Sequence, residues 1–201
     1  MKIAEVIAKS EEGNIMSVRF CEKFNNEICP TITKSMNFKS VMQVPRLEKI
    51  VISMGAGDFF MDSAKMEQAL SAVSYIAGQR ACYREAKKSI AGFKVREGMK
   101  TGIMVTLRKK KMYEFLDRLR NIALPRLREF RGFNAKSING RAFSFGLKDY
   151  SIFPEVKEFL KTTDTLGLNI TMVVNKADAV AFKEVLLGFG LPFKEDTRGA
   201  E

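Results

Sequence analysis

An apolar side chain at every second position in four separate segments is the feature that most constrains the fold of this chain. The segments cover residues 50–54, 103–107, 143–147 and 168–174, and every second position in them carries an apolar side chain. A period of two places these side chains on one face of a strand and the intervening residues on the other. The four segments therefore predict strands of a sheet that buries one face.

Three other segments repeat their apolar residues at helical spacing. The first starts after Asp62 or Ser63, either of which is a favoured N-cap, and Gly78 gives it a natural C-terminal stop. The second covers residues 110–122, and the third follows Asp178. Each repeat places its apolar residues on one side of a helix, so each helix needs a partner surface to bury that side.

These elements together predict the fold class. Helices with one apolar stripe and strands with one apolar face are buried together when the helices cover one face of a largely antiparallel sheet. We therefore expect an α+β, two-layer sandwich. A chain of 201 residues accommodates it as one domain, which we assign to residues 19–194 with a polar tail at 195–201.

The N-terminal part carries a shorter helical stripe. Phe20, Phe24 and Ile28 are spaced four apart, and Pro30 is expected to interrupt this helix, because proline has no N–H and collides with the preceding turn. Residues 1–18 have neither the Arg-rich composition of a mitochondrial presequence nor the apolar stretch of a secretory signal. We predict that residues 1–18 form an extension outside the core.

Composition narrows the classes of function. Lys and Arg number 34 against 23 Asp and Glu, and the net charge of +11 favours a polyanionic partner. The chain has no His, which removes Ser–His and Cys–His nucleophilic pairs and imidazole metal sites. Its three cysteines form no CxxC pair and are expected to be reduced thiols. Neither a cofactor, nor a metal, nor a membrane span is expected.

Glycine motifs of nucleotide-binding enzymes are incomplete. Gly55 and Gly57 follow a predicted strand, but Phe60 occupies the third glycine position of a dinucleotide turn. Gly92 and Gly98 are followed by Met99, where a phosphate-binding loop needs Lys. An RNA-modifying enzyme is an alternative, but it would need a cofactor cradle or a general base that the sequence does not display.

Cations cluster in three places. Residues 79–102 carry seven cations and two carboxylates, a net charge of +5, together with Gly92 and Phe93. A second cluster covers residues 108–111, and a third comprises Arg126, Arg128 and Arg131. The long basic stretch is either a solvated loop or a binding loop, and we favour binding. A membrane-surface module is a further alternative, but it would need a more uniformly basic amphipathic helix.

The polar side of the predicted sheet carries hydroxyls, an amide and cations. Its residues are Ser53, Thr106, Arg108, Ser144, Lys148, Asn169 and Thr171. Such a face can donate hydrogen bonds to phosphates and 2′-hydroxyls. An ordinary solvated face has the same composition, and the residues alone do not favour either interpretation.

Several strings, in order along the chain, resemble those of the large ribosomal subunit protein five family. They are residues 40–50 (SVMQVPRLEKI), 88–94 (KSIAGFK), 105–108 (VTLR), 123–132 (ALPRLREFRG), 135–137 (AKS), 152–155 (IFPE) and 191–193 (LPF). The resemblance covers residues 19–194. It implies a curved antiparallel sheet backed by helices, and a structural, non-catalytic role in the large ribosomal subunit.

The resemblance also implies partners. These are 5S rRNA in the central protuberance, large-subunit rRNA, the peptidyl-site tRNA, neighbouring central-protuberance proteins, and a small-subunit head protein across an intersubunit bridge. The expected location is the large subunit in a bacterial cytoplasm, with a mitochondrial or other organellar ribosome as the alternative.

Site residues follow from the same resemblance. The expected rRNA-binding residues are Arg46, Ser53, Gln79, Thr106 and Arg108, with Ser53 standing where the family usually has Asn. The expected tRNA-binding residues lie in the loop from Ala86 to Lys94 and are Lys87, Lys88, Ser89, Gly92, Phe93 and Lys94.

Overall fold

The structure, a computed structural model, divides into two compact units. It describes residues 15–55, 57, 62–127, 130–156, 166–176 and 178–194. The sheet unit comprises residues 49–107 and 143–173, and the helical unit lies within residues 1–48, 108–142 and 174–201. The predicted single domain at 19–194 remains a prediction. The first helix begins at Ile15, so its first turn lies within the predicted extension.

Among the described residues, six strands form one antiparallel sheet in the order β2-β3-β1-β6-β5-β4. They are β1 (Leu47–Gly55), β2 (Cys82–Glu85), β3 (Lys100–Leu107), β4 (Ile138–Asn139), β5 (Ala142–Leu147) and β6 (Leu168–Val174). The four strands predicted from alternation are confirmed as β1, β3, β5 and β6. The short β2 and β4 form the two edges.

The central strands fix the core side of the sheet. β1 pairs with β3 antiparallel, from Ile50 opposite Leu107 to Gly55 opposite Gly102. Ile50 and Leu107 are both fully buried. On β6, Ile170 is likewise inaccessible, as the alternation predicts. One face of the sheet is therefore a continuous apolar layer.

The α-helices of the described residues divide between the two units. They are α1 (Ile15–Lys23), α2 (Cys29–Ser35), α3 (Ser63–Ala77), α4 (Lys109–Arg118) and α5 (Ala179–Gly188). Among the α-helices of the described residues, only α3 lies in the sheet unit, and the others belong to the helical unit. The three helices predicted from their apolar stripes are confirmed as α3, α4 and α5.

Helix α3 packs on β3 and supplies the second layer of the sheet unit. Asp62, one of the two predicted N-caps, accepts hydrogen bonds through Oδ1 from the amides of Ala64 and Lys65. Gly78 ends the helix in the left-handed region at φ 61°. The predicted α+β class, a sheet with helices, is confirmed.

Aromatic contacts form the core of the helical unit. α1 packs along α4, and Phe189 directly follows α5. The Phe189 ring stacks on Phe20 and Phe24 with ring centroids 5.7 and 5.9 Å apart. The predicted N-terminal stripe is therefore buried against the C-terminal helix.

The expected interruption at Pro30 was wrong. α1 and α2 are joined without a break by a π-helical turn, Phe24–Ile28, in which the Cys29 amide donates to the Phe24 carbonyl five residues earlier. In an α-helix the Asn26 carbonyl would accept a hydrogen bond from the amide of residue 30. The change to five-residue spacing removes the need for that bond. Because Pro30 has no N–H to offer, the wider turn before it lets the helix continue to Ser35.

Strand β2 was not predicted, because residues 79–102 were interpreted as one basic loop. Cys82-Tyr-Arg-Glu85 has no apolar alternation, and only its backbone pairing with β3 makes it a strand. The register shifts between Arg84 and Glu85. Edge strands bury little, so burial leaves no pattern in their sequence.

No helix in the part of the chain that the structure describes is both long enough and apolar enough to cross a membrane.

The backbone around Phe133 is in close contact with the C-terminal segment 192–194 of the helical unit. The Phe133 amide donates to the Pro192 carbonyl at 2.8 Å, and the Lys194 amide donates to the Phe133 carbonyl at 2.8 Å. Gly132 precedes this contact at φ +93°, and a Cβ there would lie 3.0 Å from the Lys194 nitrogen. Only glycine fits both the conformation and the space.

We expect Gly132→Ala to lower the free energy of unfolding by roughly 2–4 kcal/mol, since it adds a backbone collision to the strain of a positive φ. Gly140→Ala is the matched control: φ is +56° and nothing lies within 4 Å of the added Cβ. The control should cost about 1 kcal/mol. Urea denaturation measures both, and equal losses would contradict the contact.

Candidate nucleic-acid interface

The sheet face opposite the core carries few charges. Across β1 and β3, Val51 lies opposite Thr106 and Ser53 opposite Met104, and all four side chains are half-buried. Ser53 and Thr106 therefore lie diagonally across two neighbouring strands on the same face. The predicted hydroxyls on these central strands are brought together.

Gln79 joins this group through its side chain. Its Nε2 donates to the Thr106 carbonyl at 3.4 Å, which links the chain after α3 to β3. The bond uses one of two amide protons and leaves the Oε1 acceptor available. Ser53, Gln79 and Thr106, distant in sequence, thus belong to one region of the sheet unit.

β2 extends the same face with residues that sequence reasoning missed. Cys82 lies opposite Met104, Arg84 opposite Gly102, and both β2 side chains are exposed. The Arg84 guanidinium lies 3.6 Å from the Met104 sulfur. Arg84 was missed because β2 was not predicted as a strand. Interpreting residues 82–107 as two strands joined by a loop would have placed Arg84 at the edge of the sheet.

Arg108 and its neighbours belong to the helical unit. Arg108 is the extended N-cap residue of α4 with no side-chain capping bond, and the four cations from 108 to 111 are exposed. Lys109 has φ 53°, a left-handed conformation that strains a non-glycine residue by about 1–2 kcal/mol. Cations at a helix N-terminus are unfavourable for its dipole, so an anion would stabilise this turn.

Arg46 lies in the aromatic core of the helical unit rather than projecting freely. Its guanidinium carbon is 6.0 Å from the centroid of the Phe24 ring. Its backbone amide donates to Asn175 Oδ1 at 2.9 Å. Its Nε is buried and has no hydrogen-bond partner among the described residues. Packing against Phe24 orients the guanidinium.

Tyr113 shares this environment. The pKa of Tyr113 is raised to about 12, mainly by burial and to a lesser extent by the negative charge that Cys21 can carry, while the Arg46 guanidinium acts to lower it. Its ring lies 6.3 Å from that of Phe189. The phenol is therefore a neutral part of the core at physiological pH.

The predicted tRNA loop is folded rather than irregular. At its base, the Ala86 amide donates to the Met99 carbonyl at 2.8 Å, and the Gly98 amide donates back to the Ala86 carbonyl at 3.0 Å. Near its tip, Ile90 and Val95 form an antiparallel bridge. Backbone hydrogen bonds therefore join the two arms of the loop 86–99 at its base and again near its tip.

The tip of the loop presents cations around exposed apolar side chains. Phe93 is 73% exposed and Ile90 49%, which is unusual for residues of this size. Lys87, Lys88 and Lys94 are also exposed to solvent. An aromatic ring surrounded by cations suits stacking on a base or ribose beside phosphates.

Ser89 and Gly92, also predicted to bind tRNA, have different positions in this loop. The Ser89 hydroxyl accepts a hydrogen bond from the Glu97 amide at 2.9 Å and so braces the loop. Gly92 lies in the 3₁₀ turn Ala91–Phe93, where nothing lies within 4 Å of an added Cβ. Its lack of a side chain keeps the backbone open to close approach.

Acidic and sulfur-containing side chains do not gather into a metal site in the described ranges. Cys21, Cys29 and Cys82 are free thiols. The predicted site residues that the structure describes supply hydroxyls, amides, cations and the exposed ring of Phe93.

Comparison with known proteins adds independent information. The family model described as "Ribosomal protein L5" matches residues 40–96, and the model of the C-terminus of the same ribosomal family matches residues 100–193. Three relatives carry the name large ribosomal subunit protein uL5. The relative from Leptospira biflexa is 49% identical over 89% of this chain and 98% of its own length. Those from Geotalea daltonii (45%, 88% and 98%) and Pediococcus pentosaceus (44%, 90% and 100%) are similar.

Tyr113 provides a test of the aromatic core around Arg46. The absorbance difference between the native protein and Tyr113→Phe should titrate near pH 12, because burial disfavours the phenolate. In concentrated urea the same difference should titrate near pH 10.

Stability should follow the same titration. The pKa of the folded state lies above that of the unfolded state, so this contribution is complete below about pH 10 and is lost as the pH rises towards about 12. Tyr113→Phe should remove that part of the pH dependence in chemical denaturation. A native phenol that titrates near pH 10 would show that the cluster is open to solvent.

Proposed function

Because this chain belongs to the ribosomal protein L5 family, whose members are structural, non-enzymatic components of the large ribosomal subunit, we propose that it binds 5S rRNA in the central protuberance. The observation that carries this proposal is the sheet face on which Ser53 and Thr106 lie diagonally, with Gln79 bonded to Thr106. A folded RNA strand is the ligand that such a face fits.

The face supplies hydrogen bonds and the neighbouring cations supply attraction. Hydroxyls and an amide on a stiff sheet can meet riboses, phosphates and base edges without reorganising. Arg46 and Arg108, which belong to the helical unit, complete the proposed rRNA contacts, Arg46 through a guanidinium oriented by Phe24. Ser53 offers one hydroxyl where the family usually has an amide, so its side chain reaches less far and has one donor fewer.

The basic loop has a separate role in the proposal. Backbone hydrogen bonds at its base and near its tip hold the loop that carries Lys87, Lys88, Lys94 and the exposed ring of Phe93. We propose that this tip contacts the peptidyl-site tRNA, with the lysines on phosphates and the ring against a ribose or base. Ser89 and Gly92 act there by bracing the loop and by opening its backbone.

Further partners follow from membership of the family. We propose contacts with large-subunit rRNA, with neighbouring central-protuberance proteins, and with a small-subunit head protein across an intersubunit bridge. We propose a location in the large subunit of a bacterial ribosome, which the bacterial relatives named above support, and an organellar ribosome is the alternative. We also propose that residues 19–194 act as one RNA-binding domain.

Binding of purified protein to 5S rRNA should fall steeply with salt. Neutralising about six phosphates makes the association constant fall roughly a thousandfold between about 50 and 200 mM salt. Arg108→Ala should reduce the slope of log K against log salt by about one, because it removes one phosphate contact. Ser53→Ala, which removes no charge, should weaken binding while leaving the slope unchanged. Filter binding measures all three, and a salt-insensitive isotherm would refute the proposal.

The loop should be separable from 5S rRNA binding. Replacing Lys87, Lys88 and Lys94 together with Ala should leave the affinity for 5S rRNA within about twofold and weaken peptidyl-site tRNA binding to reconstituted large subunits about tenfold or more. The matched Lys→Arg variant keeps all three charges and should bind tRNA normally. Loss of 5S rRNA binding with normal tRNA binding would mean that the two surfaces had been assigned wrongly.

A further inference from the structure

A second polar row lies on β5 and β6, and β6 is the neighbour of β1 in the sheet. Its members alternate with the buried residues of the two strands and therefore lie on the face opposite the core. Ser144, Gly146 and Asn169 are exposed, and Thr171 is half-buried. None of them is charged.

Two hydroxyls in this row are bonded to each other. Ser144 Oγ and Thr171 Oγ1 lie 3.0 Å apart, and either can be the donor. One proton lies between the two oxygens, and the proton of the accepting hydroxyl remains free to point outward. The pair thus offers one donor and unused lone pairs at the same point.

An amide lies beside the hydroxyl pair over a residue without a side chain. A Cβ added to Gly146 would lie 3.1 Å from Asn169 Oδ1, so the glycine leaves the space that this amide needs. Within the described ranges, no hydrogen bond occupies the Asn169 amide. It adds two donors and an acceptor next to Ser144 and Thr171.

The chemistry of this row matches a sugar hydroxyl better than a phosphate. A phosphate only accepts hydrogen bonds and draws its affinity from cations, which these four residues lack. A ribose 2′-hydroxyl both donates and accepts, and a mixed, neutral row can meet both needs. Lys148 is exposed one residue beyond β5, where it can hold the adjoining phosphate.

We propose that Ser144, Thr171 and Asn169 recognise 2′-hydroxyls of an RNA strand and so make the sheet discriminate RNA from DNA. The proposal rests on the proposed binding of 5S rRNA and adds a second strip of contacts to it. Gly146 contributes by leaving the strip flat, and Lys148 positions the strand through its backbone.

Interference mapping with full-length protein tests the proposal. The probe is 5S rRNA that carries sparse 2′-deoxy substitutions tagged by phosphorothioates. Wild-type protein should show 2′-deoxy interference at several nucleotides. The double variant Ser144→Ala/Thr171→Val should bind about three- to tenfold more weakly for each bond lost. It should also lose interference at one or two of those nucleotides, and its salt slope should stay unchanged.

Two control variants separate recognition from folding. The exchange Ser144→Thr/Thr171→Ser keeps both hydroxyls and should restore both affinity and interference pattern. Thr31→Val, which removes a hydroxyl on α2 bonded to the Glu27 carbonyl, should match wild type.

Three outcomes count against the proposals, and they are distinguishable. An unchanged interference pattern in the double variant, with wild-type binding intact, overturns 2′-hydroxyl recognition alone. Failure of the exchange variant to recover binding does the same, because it assigns the loss to packing. Failure of wild-type protein to bind 5S rRNA overturns the proposed function and this inference together.

Discussion

The antiparallel pairing of β1 with β3 is the interaction on which the rest of the sheet unit depends. It sets Ile50 opposite Leu107 and, three pairs later, Ser53 opposite Met104. A slip of one residue would exchange the apolar and polar faces of a strand and expose its core side chains to water. The same register that buries the core therefore decides which hydroxyls meet the solvent, and folding and recognition have a common origin.

Charge and hydrogen bonding are divided between different parts of the molecule. The exposed side of the sheet is mainly neutral, whereas cations concentrate in the loop from Ala86 to Met99 and at the start of α4. In the proposed function, attraction over a distance acts through long lysine side chains, and selectivity depends on short hydrogen bonds from the sheet. Since the chain has no His, none of these charges depends on imidazole protonation.

The sequence predicted those elements whose burial leaves a periodic pattern. The alternating strands, the helix capped by Asp62 and the helix after Asp178 lie where the pattern indicated. β2 was missed because an exposed edge strand buries too little to show a period, and Pro30 misled because a π-helical turn is a local exception to the hydrogen-bond ladder. The family resemblance suggested Ser53, Gln79 and Thr106 as site residues. Only the strand register shows that the two hydroxyls lie diagonally across neighbouring strands, and only the folded structure shows that Gln79 bonds to the Thr106 carbonyl. The Ser144–Thr171 bond likewise joins residues far apart in the chain.

The two edge strands of the sheet affect the tendency of the protein to aggregate. β2 has four residues, charged side chains at Arg84 and Glu85, and a shift in register between them, and β4 has two residues. Long, regular edge strands allow another polypeptide to pair with them, whereas short and charged edge strands disfavour such pairing. A second copy of the chain therefore finds little regular backbone at either edge onto which it could add a strand, which lowers the tendency to aggregate through the sheet.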